Sequence, residues 1–224
     1  MPRLISLRRI AISLAMFALV TLSSAYSAKA TTVTFSLSNG NPAIAGYTGP
    51  YGHVDVTQTS STTATIVFTA DSNGGFSYLF GAQGAIGLNF NAGSVVVNTS
   101  SVAFGAEGLS LGGEANEDGH GSFNFTLDNF DGFTNAFSTI TLTVTCTSCN
   151  WLADSSNVLT PNDNGNSVAA HIFVAGATCP PNSACATGYA TNGPNEAVPE
   201  PTTMLLLGTG LVGVAGVARR RFRK

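Results

Sequence analysis

Between Ala30 and Ala218 this 224-residue chain contains no lysine and no arginine. Its nine basic residues sit at the two ends: Arg3, Arg8, Arg9 and Lys29 on one side, Arg219, Arg220, Arg221, Arg223 and Lys224 on the other. All twelve acidic residues lie inside the interval, from Asp55 to Glu200. The formal net charge of -3 therefore averages an acidic body with two basic ends. A body without a fixed cation cannot neutralise phosphates, which excludes nucleic acid as a partner. Nor can its carboxylates form Lys or Arg ion pairs, so they must be solvated, hydrogen-bonded or bound to cations. Helical spacing with helix-forming residues is also missing from the interior, which argues against a helical body.

The ends carry what the interior lacks. Arg3, Arg8 and Arg9 precede an apolar run from Ile10 to Leu22, and Ala28-Lys29-Ala30 follows with small residues flanking the lysine. That order predicts a signal helix within residues 1–30, cut by signal peptidase between Ala30 and Thr31. Export to an oxidising compartment makes Cys146, Cys149, Cys179 and Cys185 disulfide candidates. Three pairings are open. Cys179–Cys185 would close over Pro180-Pro181-Asn182-Ser183. Cys146–Cys149 requires the chain to turn, since positions i and i+3 of a straight strand lie about 10 Å apart.

From Thr31 to Thr191 apolar and polar residues alternate in short bursts. Thr32 to Leu37, His53 to Thr57, Thr63 to Phe68, Phe123 to Leu127 and Thr139 to Val144 all have period two. Asn39-Gly40-Asn41-Pro42, Asp71-Ser72-Asn73-Gly74-Gly75 and Asn162-Asp163-Asn164-Gly165-Asn166 separate such bursts, and Asn, Gly and Pro favour turns. Each alternating strand exposes one apolar face that needs a facing layer. The expectation is an all-β ectodomain over 31–191, an antiparallel β-sandwich or jelly roll.

Residues 192–224 break the pattern. Asn192 to Pro199 reads as a linker rich in Gly, Pro and Asn. Residues 202–218 carry no charge and would span about 25 Å as a helix, enough to cross a thin bilayer. The basic tail 219–224 would stay in the cytoplasm by the positive-inside rule. Proline on both sides of Glu200 is expected to keep that segment extended and out of sheet pairing.

Val198-Pro199-Glu200-Pro201, a short apolar span and a terminal basic cluster together resemble the PEP-CTERM sorting signal. The resemblance implies an exosortase as partner, with Val198, Pro199, Glu200 and Pro201 as the recognition motif. It implies Arg219, Arg220 and Arg221 as the topological stop. An inner-membrane-anchored precursor would then be released to the cell surface or the medium.

Other groups in the chain offer candidate chemistry. Gly108-Leu109-Ser110-Leu111-Gly112 has the Gly-x-Ser-x-Gly string of a nucleophile elbow, but the polar stretch 113–121 after it predicts a loop where the elbow needs a helix. Glu114, Asn116, Glu117 and Asp118 in that loop are candidate calcium ligands, although their spacing is not that of a calcium loop. His53, His120 and His171 share no metal-ligand spacing. Trp151, Tyr47, Tyr51, Tyr78 and Tyr189 could form a platform for sugar rings or fill the core. No catalytic residue and no obligatory cofactor is expected. The expectation is a non-enzymatic structural or interaction component of an exopolysaccharide or biofilm matrix. A carbohydrate- or calcium-binding module is the alternative, and a secreted hydrolase the third reading.

Overall fold

The computed structural model describes residues 31–99, 109–129, 132–149, 151, 155–193 and 197–199. The expected signal helix (1–30), the span 202–218 and the tail 219–224 lie outside the described residues. Among the described residues no helix is long and apolar enough to cross a membrane. Two short 3-10 turns, Phe133–Asn135 and Ser155–Asn157, are their whole helical content.

Everything else regular is strand: β1 (Thr32–Ser36), β2 (Asn39–Gly40), β3 (Gly52–Gln58), β4 (Thr63–Ala70), β5 (Ser72–Asn73), β6 (Phe76–Phe80) and β7 (Ala82–Leu88). There follow β8 (Val95–Thr99), β9 (Ser110–Glu117), β10 (Gly121–Asn129), β11 (Thr139–Cys146), β12 (Val168–Ala175), β13 (Ala186–Thr191) and β14 (Ala197–Pro199). The first sheet runs β14-β1-β3-β4-β11-β8. The second runs β2-β13-β12-β7-β10-β9, with β6 also on β12 and β5 on β6. Every pairing is antiparallel.

The first sheet follows directly from its sequence. β3, β4 and β11 bury every second residue, which sends Val54, Val56, Ile66, Phe68, Ile140, Leu142 and Val144 inward and their threonines outward. Those apolar rows share one core with Tyr78, Phe80, Ile86, Leu88, Phe125, Leu127, Ile172 and Val174 from the second sheet. The all-β expectation is met by two antiparallel sheets that bury one face each in this common core. Trp151 closes one end: its backbone N–H bonds the Ser61 carbonyl at 2.8 Å, and its indole N–H reaches the Asn91 carbonyl at 3.3 Å.

The central strands of the second sheet are buried on both faces. β7, β10 and β12 each carry runs of consecutive buried residues. Phe123, Ala169 and Phe173 are buried yet stand outside the common core. Phe123 packs over Gly87 of β7, where a Cβ would lie 3.1 Å from its ring. Register in the β9–β10 pair shifts between Phe123 and Thr126, so Phe123 and Phe125 need not share a face. The turn that ends the hairpin bends onto the sheet. His120 donates from Nε2 to the Tyr189 carbonyl at 3.2 Å, and Asn162 and Asn166 both bond the His120 carbonyl.

Candidate functional site

The groups of sequence-predicted residues meet the structure differently. The first is the sorting segment. Residues 197–199, expected as linker, form β14 and pair with β1 in the register Val33↔Pro199, Thr34↔Val198 and Phe35↔Ala197. The expectation that the prolines keep this segment out of a sheet is thus corrected for Pro199. The reason is position: β14 is the outermost strand of the first sheet, and an edge strand tolerates a residue that cannot donate on its open side. Glu200, Pro201, Arg219, Arg220, Arg221, Ala28 and Ala30 lie outside the described residues. Thr31 lies just before β1 and accepts a hydrogen bond at its carbonyl from the Ser155 hydroxyl.

The second group is the stretch 110–121. Its part 113–121 is expected as a loop, and the structure instead makes Ser110–Glu117 strand β9, followed by a tight turn at 118–120. Ser110 opens the strand and His120 lies in the turn beyond its far end, so the strand's own length of about 23 Å stands between them. A strand, not a helix, follows Ser110. The candidate calcium ligands are parted in the same way. Glu114 and Asn116 are exposed, Asp118 is exposed in the turn, and Glu117 is 1% exposed. They do not converge on one point. Among the described residues no group of three or more His, Cys, Asp or Glu side chains is arranged to hold a metal.

Glu117 is the most unusual of them, and no sequence signal separates it from Glu114. It packs against β7 at Gly84 and Gly87, where a side chain in place of either hydrogen would meet it. Gly84 has φ +63°, and its backbone N–H donates to the Asp128 carboxylate at 2.7 Å. Two acidic groups therefore approach the same glycine. Neither Glu117 oxygen has a hydrogen-bond partner of normal geometry among the described residues. The Tyr189 side chain is its polar neighbour, but Tyr189 gives its hydroxyl proton to the Gln83 carbonyl at 2.9 Å. Burial, with a smaller contribution from Asp128, pushes the Glu117 acid up to about 8, offset in part by Tyr189. Burial thus favours the neutral form of Glu117 near pH 7. Burial, and secondarily Glu117, raise the Tyr189 phenol above its ordinary range.

The histidines are each committed elsewhere. His53 in β3 meets Asp71 at 3.1 Å. His120 donates to a carbonyl through Nε2, which leaves Nδ1 to accept from the Thr191 hydroxyl at 3.4 Å, as a neutral ring would. His171 donates from Nδ1 to the Gln83 carbonyl at 3.2 Å, accepts from Thr187, and stacks on Tyr189 with 4.5 Å between ring centroids. Burial lowers the pKa of both His120 and His171.

The aromatic platform does not form. Trp151, Tyr51 and Tyr78 are core residues, at 2%, 3% and 1% exposure. Tyr51 and Tyr78 pack edge to face and anchor the 44–48 segment through the Ile44, Tyr47 and Thr48 carbonyls. The cysteines pair as Cys146–Cys149 and Cys179–Cys185. β11 ends at Cys146 and the chain bends at Thr147 and Ser148, which brings the first pair to a Cα–Cα distance of 5.7 Å.

On the outer side of the same β9–β10 hairpin lies a polar groove of about 480 Å³, closed on its other wall by the 161–164 turn. Asn162 holds that wall in place. Its amide donates to the His120 and Ser122 carbonyls at 3.1 Å each, and its carbonyl accepts from the Asn164 and Asn166 N–H groups at 3.0 Å. Gly121 sits at the junction with φ +90°, and a Cβ there would lie 2.9 Å from the Asn164 amide.

Residues 197–221 match the family described as the PEP-CTERM protein-sorting motif. That motif indicates an exported protein whose membrane-anchored precursor is sorted by an exosortase to the outside. The match covers the C-terminal segment and carries nothing about the β body. No curated protein and no solved structure matches the chain.

Proposed function

We propose that this chain, carrying a PEP-CTERM sorting motif, is a non-enzymatic structural or interaction component of the cell surface or its exopolysaccharide matrix. An exosortase processes it near Pro199, Glu200 and Pro201. The observation that carries this reading is the order of parts at the C-terminus: the motif, a charge-free run over 202–218, then Arg219, Arg220 and Arg221. The body suits the setting. With no Lys or Arg from 31 to 218 it stays anionic outside the cell, repels other anions and remains soluble. A hydrolytic reading has little support, since Ser110 and His120 lie at opposite ends of one strand. A carbohydrate-binding role is the second reading, favoured by the groove beside the β9–β10 hairpin.

Mass spectrometry of the exported protein tests the sorting claim. From a host with an intact exosortase the mature C-terminus is expected to lie before Met204. From a host lacking it, the chain is expected to extend to Lys224. Recovery of Met204 to Lys224 in both hosts would overturn the reading.

A further inference from the structure

We propose that the groove between the β9–β10 hairpin and the 161–164 turn is a binding site for a neutral polysaccharide. The matrix reading above supplies the setting for such a ligand, while the chemistry comes from the groove itself.

The frame of the groove is fixed before any ligand arrives. Asn89 donates to the Thr160 carbonyl at 3.0 Å, and Asn124 exchanges two hydrogen bonds of 2.9 Å with the Phe90 backbone. With Asn162, these amides are consumed in joining β7, β10 and the turn. What they leave facing the space is a different set. Glu114, Asn116, Ser122, Asp163 and Asn164 line the groove, are exposed, and spend no side-chain hydrogen bond on another described residue. The site therefore pairs a rigid scaffold with uncommitted polar groups, the combination that lowers the ordering cost of binding.

Those groups define the ligand. Two carboxylates accept only, two amides both donate and accept, and a hydroxyl does either. Each sugar hydroxyl donates once and accepts from others, so adjacent hydroxyls match a mixed wall of this kind. Free anions and acidic glycans do not match it. Glu114 and Asp163 have no basic residue anywhere between 31 and 218 to set against a second negative charge. A phosphate or nucleotide ligand is excluded for the same reason. A single calcium ion would need six to eight oxygens at about 2.3–2.6 Å, drawn together around a point. Here the carboxylates stand on separate walls of a space of about 480 Å³, which is the size of a small-molecule site rather than of an ion. Because the groove is open rather than enclosed, it suits a passing chain better than a capped monosaccharide.

The test is affinity electrophoresis of the protein as its host exports it, processed or not, so that failure of the sorting claim leaves this measurement intact. Native gels are cast with neutral polymers of glucose, mannose or galactose, and in parallel with polygalacturonate. Retardation is expected in at least one neutral gel, none in the acidic gel, and no change on adding a chelator. The double variant Asn116→Ala with Asp163→Ala should lose about tenfold or more of the apparent affinity. Its thermal unfolding should match the parent, since both side chains are exposed and unbonded. The single variant Asn164→Ala gives the same readout if the double variant unfolds early. Three results overturn the proposal: no retardation in any neutral gel, equal retardation of parent and folded variants, or retardation that a chelator abolishes, which would assign the groove to a cation.

Discussion

The two sheets solve burial in opposite ways. The first sheet faces the core with one side and water with the other. In β3 and β11 the buried positions alternate throughout, and in β4 they do so from Thr63 to Thr69. The second sheet is covered on both sides at its centre, where β7, β10 and β12 show consecutive buried residues. The polar consequences differ accordingly. Glu117, His120, Thr126, Asp128, Asn129, Asn166, Thr191 and Asn192, which are all buried, belong to the second sheet or to the turns that fold over it. Covering a sheet face with a short hairpin gives a second layer too thin to be apolar throughout. Backbone ends and turn side chains then fall inside and must find partners. That cover is also what creates the groove, whose walls are the hairpin and the turn laid against it.

If the outer face of the second sheet is a true second core, its anchor should matter as much as one in the first. Phe68 and Phe123 are both fully buried, the former in the common core and the latter outside it. Phe68→Ala and Phe123→Ala should each cost about 3–5 kcal/mol in chemical denaturation. A cost under about 1 kcal/mol for Phe123→Ala would break the equivalence and mark the hairpin as a loose cover.

The next effect is one of pH, and only the second sheet should show it. The folded-state pKa of Glu117, about 8, stands above the ordinary value of 4.5, so the folded chain binds more protons than the unfolded chain between those limits. Stability from this group therefore falls as pH rises from about 4.5 to about 8, by at most about 1.4 kcal/mol per pH unit. Glu117→Gln removes the titration. It should equal the parent near pH 5 and exceed it by a few kcal/mol at pH 8, as read from urea midpoints across that range. Equal slopes in parent and variant would sink the assignment of a neutral buried acid.

The smallest effect should fall on the solvent side of the first sheet. Thr65 stands opposite Thr57 and Thr143 there. Thr65→Ala should cost only about 0.2–1 kcal/mol, the scale of a cross-strand pair. A larger loss would mean that this face, too, is packed against something.

The same contrast decides what could be read without coordinates. β1, β3, β4 and β11 were legible because Thr-Val and Thr-Ile alternation leaves a period of two in the sequence. β9 was not. Ser110–Glu117 has no apolar row, since Leu111 is exposed and two glycines interrupt it, so it is a strand by pairing with β10 rather than by its own pattern. β13 hides for a similar reason: Ala186–Thr191 is mostly small residues, buried because β12 and β2 flank it. The groove was legible only as a list of turn-forming asparagines. That Asn162 would fasten two chain segments, while Asn116 and Asn164 would stay uncommitted, depends on distances between residues some 45 positions apart.

β14 has a consequence for what processing leaves behind. Strand β1 offers its outer row of backbone groups to Ala197–Pro199, so the body carries its own cover for an otherwise open margin. A cut beyond Pro199 leaves β1 paired and makes the three residues of β14, one of them a proline, the edge instead. A cut before Ala197 strips it and leaves unpaired N–H and C=O groups ready to accept a strand from a neighbouring molecule. The position of one broken peptide bond thus sets which strand, β1 or the short β14, forms the edge of the first sheet.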